Sequence, residues 1–203
     1  MYTLILIGVS MIVSLMIIPV VIAVSKKLDI VDKPNFRKIH TKPISMLGGS
    51  AILLSFLIGI WLGEPIEREI KPLLLGSVVI YLVGLIDDLY DLKPIIKLIG
   101  QILAATVVVS YGVTIDFISL PIGPTIHFGW LGIPITIFWI VAITNAINLI
   151  DGLDGLAAGV SVIALATIAF IAILQGNIFI IMICSVLIGS LLGFLVFNFH
   201  PAK

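Results

Sequence analysis

The chain has 203 residues, 61% of them hydrophobic and 11% charged, with a mean hydropathy of +1.31. That leaves too little polar surface to coat a soluble globule, so lipid must cover much of it. Basic and acidic residues balance at eleven each, which gives no signal for a nucleic-acid partner, and the lone Cys184 excludes an internal disulfide scaffold.

A helix needs about 20 mostly apolar residues to cross the hydrocarbon core, so charge-free intervals locate the spans. The first is Met1 to Ser25, which lacks the basic start and small-residue cleavage site of a signal peptide. A basic loop follows with Lys26, Lys27, Lys33, Arg37, Lys38, His40 and Lys42, and then a second span, Ile44 to Gly63. Pro72 to Ile86 is a short third span, acceptable where flanking residues are recruited, and Leu98 to Ile115 is the fourth. The next charge-free stretch, Phe117 to Ile150, is too long for one crossing. Pro121, Gly123 and Pro124 break it, giving a loop or hairpin followed by a fifth span, Trp130 to Ile150. From Gly155 to Ala202 only Gln175, Gly176 and Asn177 interrupt the apolar run, which predicts a sixth and a seventh helix joined by a tight turn.

The expected fold is therefore an all-α polytopic membrane protein of about seven transmembrane helices, forming a single integral membrane domain over residues 1–203. Lysine and arginine crowd the first loop and are sparse in the second, where only Arg68 and Lys71 stand beside three glutamates. The positive-inside rule makes the first loop cytoplasmic, the N-terminus outside and the hairpin between the fourth and fifth helices extracytoplasmic. Asp87, Asp88, Asp91, Asp151 and Asp154 then share the cytoplasmic face.

Three stretches carry chemistry. In "GLIDDLYDLKPIIKLIGQ", Gly84 to Gln101, Asp87 and Asp88 stand where the third apolar run stops. They could simply end a helix in headgroup water, but a carboxylate disfavours a helix C-terminus and charges near membrane depth are disproportionately functional. Adjacent helical positions point about 100° apart, so one aspartate faces the site and the other supports it. In "NAINLIDGLDGLAAG", Asn145 to Gly159, residues Asn148, Asp151 and Asp154 recur at a spacing that shares one side of a helical turn. Capping of the sixth helix would account for one of them but not all three. In "DKPNFRKIHTKPISMLGG", Asp32 to Gly49, a topology-setting basic loop also offers Arg37, Lys38, His40 and Lys42 as a phosphate-binding set, to which Lys97 adds a cation. Carboxylates, Mg²⁺ and lysines together can hold a pyrophosphate during phosphoryl transfer. EF-hand, HExxH and Walker A patterns are absent.

With the closing "FNFHPAK", these strings resemble the polyprenyl-phosphate N-acetylhexosamine-1-phosphate transferases, and more closely the N-acetylglucosamine-1-phosphate branch than the muramoyl-pentapeptide branch. The resemblance implies transfer of a sugar 1-phosphate from a UDP-N-acetylhexosamine to undecaprenyl phosphate, with release of UMP, at the cytoplasmic face of a bacterial plasma membrane. It implies Mg²⁺, with Mn²⁺ as a substitute, and is compatible with a homodimer. On this pattern Asp87 deprotonates the lipid phosphate, and Asp88 supports it or helps hold the metal with Asp151. Asn148, Asp151 and Asp154 line the nucleotide site, while Lys97, His40 and Lys42 assist phosphate binding. Family members usually continue past this point with an FMGDxGS segment that supplies a main Mg²⁺ ligand, so the chain is expected to be an N-terminal part of such an enzyme. In the absence of those further helices, Gly189 and Gly193 are expected to face lipid. A transporter would place its broken helices or ionisable residues near the midplane rather than at span ends, and a CDP-alcohol phosphotransferase would carry a DGxxAR pattern that "DGLAAG" lacks.

Overall fold

A computed structural model describes residues 2–32, 44–63, 70–120 and 122–200. Seven helices occur among them: α1 (Tyr2–Lys27), α2 (Gly48–Leu62), α3 (Ile70–Tyr90), α4 (Pro94–Ser110), α5 (Gly132–Ile150), α6 (Leu156–Gln175) and α7 (Ile178–Asn198). Five are long and apolar enough to cross a membrane, α1, α3, α5, α6 and α7, whereas α2 and α4 are shorter apolar helices. The protein is an all-α membrane protein with two small antiparallel additions. Strands β1 (Val31–Asp32) and β2 (Ile44–Ser45) pair with each other, as do β3 (Phe117–Ser119) and β4 (Thr125–His127). The chain divides into two compact units, Met1–Ile66 with Ile150–Lys203, and Glu67–Leu149.

In the first unit α1, α2 and α7 pack through small residues, because without a hydrophobic drive between helices close backbone approach supplies the attraction. A Cβ on Gly193 would lie 2.5 Å from the Ser14 Cβ and 2.8 Å from the Met11 carbonyl oxygen, and one on Gly189 would run into the Ile7 carbonyl. Both glycines are buried against α1, so the expectation that they face lipid is corrected: α1 itself occupies that surface. Most of the buried hydroxyls here find carbonyl acceptors, Ser10 Oγ being buried without one among the described residues. Ser55, Ser185 and Ser190 donate to the carbonyls of Ala51, Ile181 and Val186, four residues back, and Ser14 donates across to the Ser190 carbonyl at 2.8 Å. The α6–α7 turn is the tight one anticipated: Gly176 takes the left-handed conformation and the Asn177 side chain accepts from the Ile180 N–H at the start of α7.

In the second unit α3 and α4 form an antiparallel pair. A Cβ on Gly76 would press on Val108, and one on Gly100 on Val83. The third span runs past its expected end, because α3 keeps its helical bonds through Asp87 and Asp88 to Tyr90. Asp91 then enters the left-handed region at φ 50°. Pro94 stands at the start of α4, where its missing N–H costs nothing. The break anticipated between the fourth and fifth spans is the β3–β4 hairpin, followed by a 3₁₀ turn at Gly129–Leu131 that leads into α5.

Candidate functional site

The turn between α3 and α4 builds the polar centre of the second unit. Asp87, on the last turn of α3, uses one carboxylate oxygen to accept from the Leu92 N–H at 3.2 Å, which fixes the chain as it reverses. Its other oxygen pairs with the Lys97 ammonium at 2.7 Å. Lys97 sits on the first turn of α4 and also donates to Asn148 Oδ1, near the end of α5, at 3.1 Å. One ammonium therefore joins three helices. An ammonium has three donors and two are used, so one remains for an incoming oxygen. The two paired charges are 21% and 20% exposed, shielded from bulk water yet reachable.

One helical step deeper, Gln101 on α4 and Asn145 on α5 exchange amide hydrogen bonds. The Asn145 amide donates to Gln101 Oε1 at 2.6 Å, and the Gln101 amide donates to Asn145 Oδ1 at 3.3 Å. Gln101 is fully buried, and an unpaired amide there would be costly. These residues lie four positions after Lys97 and three before Asn148, on the same helical faces. The pair therefore fixes the register in which Lys97 meets Asn148. Sequence reasoning gave neither residue a role, although an amide inside each apolar helix at that spacing was the available signal. Asp88, the next residue on α3, is exposed.

Asp151 and Asp154 belong to the first unit. Helix α5 ends at Ile150 and residues 151–155 are turns, so the shared helical face expected of Asn148, Asp151 and Asp154 does not form. The reason is glycine: Gly155 adopts φ 73° and caps α6 without a side-chain hydrogen bond, so neither aspartate is the cap residue. The end of α7 holds this loop. Asn198 Oδ1 accepts from the Gly155 N–H at 2.9 Å, His200 Nδ1 lies 3.1 Å from Asp154 Oδ2, and Phe199 packs so closely that a Cβ on Gly155 would lie 3.5 Å from its Cα. The closing motif thus has a visible task, which the sequence had not assigned to Asn198 or His200.

Asp151 has no hydrogen-bond or ion-pair partner among the described residues, and desolvation pushes its carboxyl above the ordinary 3.8. By area its side chain is exposed, so an incoming cation can reach it. No group of three or more His, Cys, Asp or Glu converges among the described residues. Mg²⁺, however, commonly takes only one or two carboxylates and completes its shell with water and substrate phosphates, so the donors present fit it. His40 and Lys42 lie outside the described residues.

An apolar helical protein with a carboxylate, an ammonium and amides gathered between its helices belongs among the integral membrane proteins, and such groups are the default place to look for a site. More narrowly, residues 71–203 match the family model described as Glycosyl transferase family 4, and the chain belongs to that family. It is 43% identical over 197 residues to a probable undecaprenyl-phosphate N-acetylglucosaminyl 1-phosphate transferase of Bacillus subtilis, covering 96% of this chain and 55% of that protein. It is 34% identical to a decaprenyl-phosphate N-acetylglucosaminephosphotransferase of Mycobacterium leprae, covering 88% of this chain and 50% of the relative. With the phospho-N-acetylmuramoyl-pentapeptide-transferase of Enterococcus hirae identity is 33%, over 84% of this chain and 57% of the relative. The chain spans about half the length of the curated relatives it matches.

Proposed function

We propose that the protein to which these residues belong transfers N-acetylglucosamine 1-phosphate from UDP-N-acetylglucosamine to undecaprenyl phosphate. It would do so at the cytoplasmic face of a bacterial plasma membrane, as the first membrane step of a cell-envelope polymer. The observation that carries the reading is the Lys97 bridge between Asp87 and Asn148, since it joins two of the strings on which the family resemblance rests. Higher identity to the N-acetylglucosaminyl relative than to the muramoyl-pentapeptide one favours the first branch.

In this reading an oxygen of the lipid phosphate attacks the sugar-bearing phosphorus of the donor. The bond from that phosphorus to the bridging oxygen breaks, and UMP leaves with the bridging oxygen. Asp87 takes the proton of the lipid phosphate. Protonation removes the charge that holds Lys97, which frees the ammonium to move toward the pyrophosphate oxygens as negative charge gathers on the departing UMP. Asn148 keeps Lys97 aimed during that exchange. Bound Mg²⁺ supplies charge neutralisation at the pyrophosphate. Asp151 is the carboxylate best suited to hold it, and Asp88 is assigned with it on the family resemblance alone. Asp154, fixed by His200, and the basic loop with His40 and Lys42 complete the nucleotide and phosphate contacts.

The test is UMP release by the intact protein with undecaprenyl phosphate and Mg²⁺, offering UDP-N-acetylglucosamine or UDP-N-acetylmuramoyl-pentapeptide. Turnover of the first donor alone is expected. Turnover of the second alone would move the protein to the other branch, and turnover of neither would remove the reading.

A further inference from the structure

No charged residue occurs between Asp116 and Asp151, although this stretch includes a turn-rich connection as well as a helix. Loops that lie in water are seldom so apolar, and the β3–β4 hairpin places the apolar residues in a definite pattern. The register sets Ile118 opposite Ile126 and Ser119 opposite Thr125. Because strand side chains alternate, Ile118, Ile126 and Leu120 fall on one face, and the hydroxyl pair Ser119 and Thr125, in contact at 3.3 Å, falls on the other. All three apolar side chains are exposed, and Ile122 at the tip is 95% exposed.

The hairpin cannot swing freely. Phe128 N–H donates to the Asp116 carbonyl at 2.8 Å, closing its base, and Ile115 N–H donates to Thr136 Oγ1 at 2.8 Å, tying that base to the second turn of α5. Gly132 lets the chain pass close: a Cβ there would lie 2.8 Å from the Ile115 carbonyl oxygen. Helix α5 has 19 residues, about 28 Å at 1.5 Å per residue, against a hydrocarbon thickness of about 30 Å. The segment just before it therefore stands at a membrane boundary. Trp130, 78% exposed at that level, belongs to a residue type that collects at headgroup depth.

We propose that the β3–β4 hairpin is an interfacial anchor. Its face of Ile118, Leu120 and Ile126, with Ile122 and Trp130, lies in the headgroup and upper acyl region, at the membrane surface opposite the Asp87–Lys97 turn. The occupant of this face is lipid because the hairpin leads through Trp130 directly into α5, a helix long and apolar enough to cross a membrane whose Ile133 and Phe138 are themselves exposed. Depth is limited by the backbone. A two-stranded ribbon has edge N–H and C=O groups without partners, which the hydrocarbon core does not tolerate but hydrated headgroups do. The opposite face, where Ser119 and Thr125 stand with Phe117 and His127, whose rings lie 5.7 Å apart, then turns toward the hydrated headgroups, so the hairpin sets where α4 ends and α5 begins relative to the bilayer.

The test places an environment-sensitive fluorophore on Ile122→Cys in a Cys184→Ser background of the full chain, reconstituted in vesicles of equal parts phosphatidylcholine and phosphatidylglycerol. Blue-shifted emission is expected, with quenching strongest by nitroxides carried near the lipid headgroup, weaker by nitroxides at the acyl terminus, and weak by aqueous iodide. A label on Asp91→Cys serves as the water-exposed reference. Trp130 in a Trp61→Phe, Trp139→Phe background gives the same depth profile without altering the hairpin. Emission and iodide quenching at Ile122 equal to those at Asp91 would overturn the proposal. Protection from both lipid and aqueous quenchers would overturn it too, since protein would then cover the face.

Discussion

Replacing Lys97 by Met tests the Asp87–Lys97–Asn148 bridge, because Met keeps the length and the apolar stem but removes every donor. The loss has two parts: the 2.7 Å ion pair to Asp87 and the 3.1 Å hydrogen bond to Asn148. Fully exposed pairs contribute about 0–1 kcal/mol, and breaking a fully buried one costs about 3–5 kcal/mol. With both groups about a fifth exposed, the expected destabilisation lies between, at about 1–2 kcal/mol. Part of it is the Asp87 carboxylate left with the Leu92 N–H alone. Thermal unfolding in one detergent, with Lys97→Met, Asp87→Asn and the double variant, isolates the pair. The double variant should be more stable than the sum of the two single losses implies, because removing the second charge removes the uncompensated one. In the intact protein, UMP release by Lys97→Met should fall at least about tenfold, the rate equivalent of about 1.4 kcal/mol. Strict additivity of the stability losses, together with unchanged turnover, would refute the bridge.

Further outcomes follow from other contacts. Gly189→Val should destabilise the first unit by about 1–3 kcal/mol or more, since its Cβ meets the Ile7 backbone rather than a movable side chain; Gly8→Val, with nothing near its Cβ, is the control in the same unfolding assay. Asn198→Ala should cost about 1 kcal/mol by leaving the Gly155 N–H without its acceptor, and Asn198→Asp, which retains an acceptor, should recover most of it. For Asp151, desolvation favours the protonated carboxyl in the folded state, so folding binds this proton more tightly and stability declines as pH rises from 3.8 through the raised folded value. In the presence of a chelator, Asp151→Asn should therefore unfold at a higher temperature than the parent at neutral pH and match it at acidic pH. Added Mg²⁺ should stabilise the parent and not the variant, and equal Mg²⁺ responses would remove Asp151 as a ligand.

The five helices long enough to span a membrane were legible because absence of charge over a span is a one-dimensional property, and lipid imposes it without reference to any partner; α2 and α4, also expected as spans, are shorter. Ends were less so. Helix α3 was expected to stop before Asp87, but a helix stops where backbone bonding stops, and Asp91 in the left-handed region sets that point rather than the first carboxylate. The β3–β4 hairpin was signalled by Pro121, Gly123 and Pro124, whereas its apolar face emerged only with the strand register.

Site residues divide in the same manner. Their types were readable, since carboxylates, amides and a lysine at the ends of apolar runs carry a cost that must be offset. Their partners were not. Lys97 was assigned to a substrate phosphate, and nothing in its spacing shows that a three-residue turn would bring it back onto Asp87 while α5 delivers Asn148 to the same ammonium. Asp151 and Asp154 suffered the opposite error: a helical spacing was read through Gly152 and Gly155, where the backbone leaves the helix, so two carboxylates expected to act alike are treated differently. Asp154 is held by His200, while Asp151 stays unpaired among the described residues and partly desolvated. That asymmetry gives them separable roles. A carboxylate already committed to a neighbour helps position the loop, and in the proposed reaction the one without such a partner among the described residues is the one assigned to the cation.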